Sequence, residues 1–466
     1  MKFLSFLILF FHGITYSQYA GIDYLKIDNN NASLEYLLQK YIQIPSVSGE
    51  EKFAGDYIKS ICKENGLVIS SFGEENGNYN FAASIFPLSS QKPNIVLLNH
   101  IDVVPESENS QTKPFSGEIL NGEVFGRGAV DNKGAAVMQL ASILNVLKNG
   151  NIKNSKYNIT FLAVSCEETQ CSGGVNYVIE NYLQELNPVV VIGEGPTELT
   201  SLIGGNFNNP IFGVSVAHKR SFWLNLKREM YTMGHGSVTP LQYANKEMVE
   251  ALDRLVTKKQ KAVFNDINTG ILKTMASHKK GLEKFIMGHP RFFKPVLIPQ
   301  LRKQPELFAI FSNTITLTNI NSNNNAYNII PSNVEAFLDC RLLPEMDEYE
   351  FIKHIQKIIK NDSIKITVIE NMPKAKPSST KNIFYQNMIK AIQLNYPNSQ
   401  VAPIMMPNIN DLGAFRTKGI TAFATIPVYL KREHIEGIHN KDEKIPIEAL
   451  YNGAQVYFDF LQLMIE

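Results

Sequence analysis

Three features of the sequence predict an α/β fold in which a mainly parallel sheet, covered by helices on both faces, carries an inserted smaller α+β domain. First, "NIVLLNH", "NITFLAVS" and "PVVVIGE" are unbroken apolar runs bounded by polar or turn residues, the pattern of strands buried on both faces. Second, "DNKGAAVMQLASILNVLKNG" lies between the first two runs, and its Ala, Leu and Val recur at helical spacing, so these strands are joined through helices. Third, the middle of the chain alternates apolar and polar residues, as in "IFGVSVAHKRSFWLNLKREM" and "VEAFLDCRLLP", which predicts strands with one wet face.

Taken in order, the chain opens with Lys2 and an apolar run from Phe3 to Phe11, followed by "HGITYSQ". This reads as a signal peptide over residues 1–17, with a retained anchor as the alternative, because the run is short for a membrane span. Next, "SLEYLLQKYIQIPSVSGEEKFAGDYIKSICKENGL" gives two amphipathic helices, the first ended by Pro45 and the second by Gly66. The alternating strands and helices then build residues 18–208 as the first part of the main domain. The insertion is expected over 209–378, with "YANKEMVEALDRLVTKKQKAV" and "EMDEYEFIKHIQKIIKN" as its helices, and residues 379–466 return to the first domain.

With 466 residues, 44% of them hydrophobic, the chain is long enough for two domains, each with its own core. A net charge of +1 argues against nucleic acid as a partner and, once the signal peptide is removed, against a membrane. A cleaved signal peptide implies a secreted or periplasmic location, which permits disulfides. Of the four cysteines, Cys166 and Cys171 flank a charged loop. They are expected as unpaired thiols in packed positions, with a short disulfide or a metal pair as alternatives.

The chemistry gathers at strand ends. His100 and Asp102 close the first apolar run, Glu167 and Glu168 follow the second, and Glu194 follows the third. Ligand sites of open α/β sheets lie beyond the carboxyl ends of the strands, where these groups could converge. Asp131 stands where the glycine-rich "FGRGAVDNKGAA" enters a helix, and His439 comes from "EGIHNKDE" near the C-terminus. Singly, each has an ordinary explanation: Asp131 a helix N-terminal carboxylate, the two glutamates a solvated loop, His100 a structural imidazole, Glu194 a group facing water. Several strand ends carrying such groups together point instead to a site for one or two zinc ions or a related divalent metal, since imidazoles and carboxylates without thiolates suit them.

"HIDVVP", "GRGAVDNKG", "SCEETQCSGG", "VIGEGP", "GHGSVTP", "NIIPSNVEAFLDCR" and "GIHNKDE" occur in this order, with "IPSVSGEE" ahead of them. The series resembles the signatures of the co-catalytic zinc metallopeptidases that include carboxypeptidase S, glutamate carboxypeptidase, aminoacylase and succinyl-diaminopimelate desuccinylase. It is most similar to the carboxypeptidase S branch and covers nearly the whole mature chain.

The resemblance implies two zinc ions per chain, with cobalt or manganese as possible substitutes. Asp131 would bridge them, His100 and Glu194 would complete one, and Glu168 and His439 the other. Asp102 would accept a hydrogen bond from the His100 ring and fix its tautomer. Glu167 would be the general base for a water shared by the two metals, and would later protonate the leaving amine. The insertion would be a lid and dimerisation domain on which His235 stabilises an oxyanion, often in a partner subunit's site. Asn328 and Arg341 would hold the substrate's free carboxylate and adjoining polar atoms, although a turn histidine and an ordinary strand arginine are the plain alternatives.

The sequence departs from the family pattern at Cys166, where an acidic residue is usual, and at "AHKR" 217–220, where Glu-Lys-Gly is common. "NINDLGAF" resembles the usual substrate loop only loosely, so Asp411 has no assigned role, and His439 rather than His434 stands in the matching "GIH" context. The expected function is hydrolysis of an amide bond beside a free carboxylate, in small peptides as by a carboxypeptidase or dipeptidase. N-acyl amino acids are the alternative substrates, and a non-catalytic binding protein on the same fold is the remote one.

Overall fold

A computed structural model of the protein describes residues 22–106, 113–200, 208–231, 234–322 and 326–465. The expected signal peptide, residues 1–17, lies outside them.

An eight-stranded sheet organises the main domain. Its strand order is Gln400–Met406, Ile211–His218, Thr421–Ala424, Pro188–Gly193, Asn94–His100, Asn158–Val164, Asn78–Ser84 and Val68–Glu75. The four strands from Thr421–Ala424 to Asn158–Val164 run parallel. Asn78–Ser84 and Val68–Glu75 add an antiparallel edge.

The apolar runs land at the centre: every residue of Asn94–His100 and Asn158–Val164 is buried. One face packs against the helices Leu34–Ile42, Lys133–Asn149, Ile383–Asn395 and Ile447–Ile465. Val175–Leu186 and Leu412–Thr417 cover the other. Burial on both faces is why these strands are uninterruptedly apolar. The helix Lys133–Asn149 is itself buried from Lys133 through Leu144, which explains its small residues.

A second, antiparallel sheet has the order Thr314–Asn321, Asn333–Leu342, Arg220–Glu229 and Lys365–Asn371. The helices Ala244–Val256 and Glu348–Ile359 cover one face and bury Phe222, Leu224, Leu226, Ala336 and Leu338. Asn333–Leu342 alternates half-buried and buried residues throughout, as its sequence predicts.

Two features correct the expected boundary at 209. Ile211–His218 is a wholly buried strand of the main sheet, paired with Gln400–Met406 and Thr421–Ala424. Its run "IFGVSVA" is buried at every position, Ser215 included, rather than on alternate ones, and the chain passes to the second sheet only at Lys219. The helix Asp266–Ala276, inside the expected insertion, packs Ile271, Leu272 and Met275 with Ala402, Ile404 and Met405 of the main sheet. Lys219 and Arg220 are buried at this junction. Lys219 donates to the Ala309 carbonyl and the Thr314 hydroxyl, and Arg220 to the carbonyls of Met346 and Met372.

Cys166 and Cys171 form a disulfide, which corrects the expectation of unpaired thiols. The tight loop after Val164 brings their Cα atoms to 5.4 Å, within disulfide reach. Cys62 and Cys340 are buried free thiols.

Candidate active site

The carboxyl ends of three adjacent parallel strands converge. His100 ends the first; Glu167 and Glu168 follow the second, and Glu194 follows the third. Asp131 reaches the same point from the loop before the helix Lys133–Asn149, and His439 from the turn after the helix Arg432–Gly437. His100 Nε2 lies 3.1 Å from Asp131 Oδ1 and 3.0 Å from Glu194 Oε2. His439 Nε2 lies 3.2 Å from Asp131 Oδ2 and 3.0 Å from Glu168 Oε1. Asp131 thus offers one oxygen to each of two groups, His100–Asp131–Glu194 and Asp131–Glu168–His439, and within each group the ligand atoms lie within 4.8 Å of one another. Each is a mixed imidazole and carboxylate set of the kind that holds a zinc-like dication.

Local structure explains how Asp131 is aimed. Glu443, buried near the C-terminus, accepts hydrogen bonds from the backbone N–H groups of Gly128, Val130 and Asp131, while Arg127 donates to it at 3.0 Å. The turn is too tight for a side chain at Gly134, where a Cβ would sit 2.0 Å from the Ala129 carbonyl oxygen. Lys133, fully buried, donates to the carbonyls of Tyr41 and Ile44.

Asp102 fastens two strand ends together. Its carboxylate accepts the N–H groups of Glu167 at 3.0 Å and Glu168 at 3.1 Å, and the Ser48 hydroxyl at 2.7 Å. The His100 ring reaches Asp102 differently from the expectation: Nδ1 is 2.9 Å from the Asp102 carbonyl oxygen and 3.4 Å from the carboxylate. The shorter contact is the hydrogen bond, so Nδ1–H donates to the backbone and leaves Nε2 facing the metal position.

The electrostatics suit a site built around cations. Burial pushes the Glu167 carboxyl well above the usual range, reinforced by Glu194, Asp411 and Asp131. Glu194 is raised to about 7, chiefly by burial and then by Asp131. Burial also acts against Asp131, but hydrogen bonds from His100 and His439 outweigh it and hold the carboxyl below the ordinary range. His439, bonded to Asp131 and Glu168, is raised to about 10. Without metal, protonated imidazoles balance clustered carboxylates, so divalent cations in their place fit the charge as well as the donor set.

Three neighbours have no role assigned from the sequence. Asn132 donates to Glu194 Oε2 at 2.8 Å, beside the cis peptide bond Asp131–Asn132. Asp411 lines a small cavity with His100, Glu167 and Glu194, and burial raises its carboxyl. Glu443 is the third; only its place four residues after His439 could have flagged it. His434, by contrast, is buried against Glu123 at 2.6 Å and accepts the Lys431 N–H, a structural position.

Among the described residues, none of the three substrate candidates has a hydrogen bond or ion pair with this cluster. His235 and Asn328 sit together at one exposed tip of the second sheet, where His235 pairs with Ile329 and Gly236 N–H donates to the Asn328 carbonyl. Arg341 lies towards the other end of Asn333–Leu342, beside Ser221. Eight residues of extended chain separate it from Asn333, about 27 Å. Its guanidinium already grips Asp339 through two hydrogen bonds of 2.8 and 3.0 Å.

The family model described as peptidase family M20/M25/M40 matches residues 96–463. The chain belongs to peptidase family M20. This M20 enzyme is 24% identical over 446 residues to the human protein named N-fatty-acyl-amino acid synthase/hydrolase PM20D1, covering 92% of this chain and 87% of the relative. It is 26% identical to the probable carboxypeptidase S-like 2 of Dictyostelium discoideum, over 80% of this chain and 72% of that protein. Among solved structures, the M20 metallo-carboxypeptidase Sso-CP2 of Sulfolobus solfataricus superposes with a TM-score of 0.68 at 19% identity, covering 92% of this chain and 99% of that one. The Bacillus subtilis YXEP protein, titled a dinuclear metal-binding peptidase of the M20 family, superposes at 0.57 with 12% identity over 93% and 97% of the two chains. The M20 assignment and the carboxypeptidase S-like branch agree with the resemblance of the sequence motifs. The chain is a metallopeptidase or amidohydrolase of that family.

Proposed function

We propose that this enzyme hydrolyses an amide bond whose amine half is an amino acid with a free carboxylate, in small peptides as a carboxypeptidase or dipeptidase. The observation that supports it is the shared Asp131 between two three-residue ligand groups with Glu167 beside them. His100, Asp131 and Glu194 would hold one cation, and Asp131, Glu168 and His439 the other, with zinc the metal proposed. When bound, the pair supplies Lewis-acid polarisation of the scissile carbonyl and lowers the pKa of attacking water.

The protein's own groups do the rest. Glu167, a buried carboxyl among other carboxylates, would be deprotonated once cations neutralise its neighbours, accept a proton from the attacking water and return it to the departing nitrogen. Asp102 fixes the backbone of Glu167 and Glu168 together, so base and ligand keep their separate aims. Arg341 binds a substrate carboxylate by exchanging it for Asp339, since both offer the same planar pair of oxygens. The tip bearing His235 and Asn328 serves the site of a partner in a homodimer formed through the second sheet. The Cys166–Cys171 disulfide and the apolar run after Lys2 support a secreted or periplasmic location.

A second reading, hydrolysis of N-acyl amino acids, is favoured by the match to the human N-fatty-acyl-amino acid synthase/hydrolase over most of both chains. The test is a panel of dipeptides and N-acyl amino acids, each beside its carboxy-terminal amide. Turnover of one class, lost on amidation, is expected and names the substrate. Equal turnover of the amides would contradict the proposal.

A further inference from the structure

The +1 charge of the whole chain conceals a strongly basic segment. Residues 273–303 carry eight lysine and arginine residues and a single acidic one, Glu283. The segment runs from the last turn of the helix Asp266–Ala276 through the helices Gly281–Gly288 and Lys294–Leu301 and the turn between them. One side anchors it: Met287, Leu297 and Leu301 are buried in the cluster that includes Ile404 and Met405 of the main sheet.

The other side is apolar and exposed. Leu282 is 72% exposed, Phe285 54%, Phe292 81% and Val296 51%. Leu282 and Phe285 are three residues apart on one helical face. Phe285 and Phe292 both pack on Phe293, with ring centroids 5.6 and 5.0 Å away, so the exposed rings form one continuous patch. Single exposed apolar residues are ordinary; contiguous ones mark an interaction surface.

Charge identifies the occupant. Lys280 and Lys284 are exposed on or beside the Leu282–Phe285 helix and have no ion pair among the described residues. Lys279 pairs with Glu283, Arg291 with Asp266, and Lys294 lies over the Phe264 ring. Large apolar side chains rimmed by lysines match the boundary between acyl chains and anionic headgroups. A second protein copy would present the same basic rim and be repelled.

We propose that this face docks the enzyme on an anionic lipid surface, with Leu282, Phe285 and Phe292 inserted among acyl chains and Lys280 and Lys284 at the headgroups. This differs from the expectation, drawn from overall charge, that the mature chain has no membrane partner. It is independent of the substrate proposed above, although amphiphilic N-acyl amino acids would partition into the same interface.

The test is co-sedimentation of the chain from residue 18 onward, without the apolar run Phe3–Phe11, with phosphatidylcholine vesicles, with and without phosphatidylserine. Binding is expected only to the serine-containing vesicles, and raised salt should weaken it. Phe285→Ser with Phe292→Ser, and separately Lys280→Glu with Lys284→Glu, should each weaken binding at least about tenfold. Both pairs are exposed and away from the ligand cluster, so hydrolysis of a water-soluble substrate should be unchanged. Failure of the wild type to bind anionic vesicles, or wild-type binding by the lysine variant, would overturn the proposal. So would a wild-type dimer that the phenylalanine variant converts to monomer, because the patch would then join two copies of the chain.

Discussion

His100 and His439 set the terms on which metal enters. Burial opposes a charge on His100, but Glu194, Asp102 and Asp131 outweigh it and lift its pKa well above the ordinary value. His439 stands at about 10. Both rings therefore hold protons at neutral pH in the metal-free protein, and a cation must displace them. Metal affinity should rise with pH, by up to about tenfold per unit for each ring displaced. Competition against a chelator at pH 6 and pH 8 measures this; an affinity flat across that range would show that the rings are not the ligands. The sequence displayed these residues because each stands at the end of an apolar run or in a glycine-rich turn. Asn132 and Asp411 lacked such a marker, since an amide beside an acid and an Asp in a polar loop are common anywhere. Cys166 and Cys171 were misread because five residues of sequence separation do not show whether a loop closes.

At the scale of elements, the loop before Lys133–Asn149 depends on one carboxylate. Glu443 and Arg127 have side chains only 1% and 3% exposed, and Glu443 also gathers three backbone donors. Glu443→Ala removes the carboxylate that pairs with the buried Arg127 guanidinium and takes the acceptor from three backbone N–H groups, and should cost about 3–5 kcal/mol. Denaturant unfolding would measure the loss, and metal content should fall with it because Asp131 loses its support. A variant of unchanged stability would show that the turn holds itself. No periodicity could have revealed this contact across 313 residues of sequence between Val130 and Glu443. The same limit explains the boundary at 209: the alternation of Arg220–Glu229 was extended backwards over Ile211–His218, although that strand, Ser215 and His218 included, is buried throughout by pairing with strands distant in sequence. Where local pattern alone decides, as in Asn94–His100, Asn158–Val164 and Asn333–Leu342, the sequence was sufficient.

At the scale of the whole molecule, Arg341 and the tip that bears His235 and Asn328 stand at opposite ends of the strand Asn333–Leu342. Arg341 lies near the junction and the tip about 27 Å or more beyond it, so one chain in this arrangement does not bring both to one substrate. Symmetric pairing through the second sheet would let each tip serve the other chain. Chains carrying His235→Ala and chains carrying Glu167→Gln should each be nearly inactive, yet regain turnover when refolded together, because some mixed dimers hold one intact composite site. Turnover assayed before and after mixing decides it. Absence of recovery, with dimers present by light scattering, would place His235 in the service of its own chain.

In the proposed reaction five ligands, His100, Asp131, Glu168, Glu194 and His439, hold two cations while Glu167, a member of neither ligand group, moves the proton. Metal content and turnover of the wild type and Glu167→Gln, measured on the same preparations, decide whether these roles are separate. About two metals per chain in both proteins, with turnover in the variant reduced by about 10²-fold or more, is the predicted result. A variant that keeps its metals and its activity, or a wild type that holds only one metal at full activity, would contradict it.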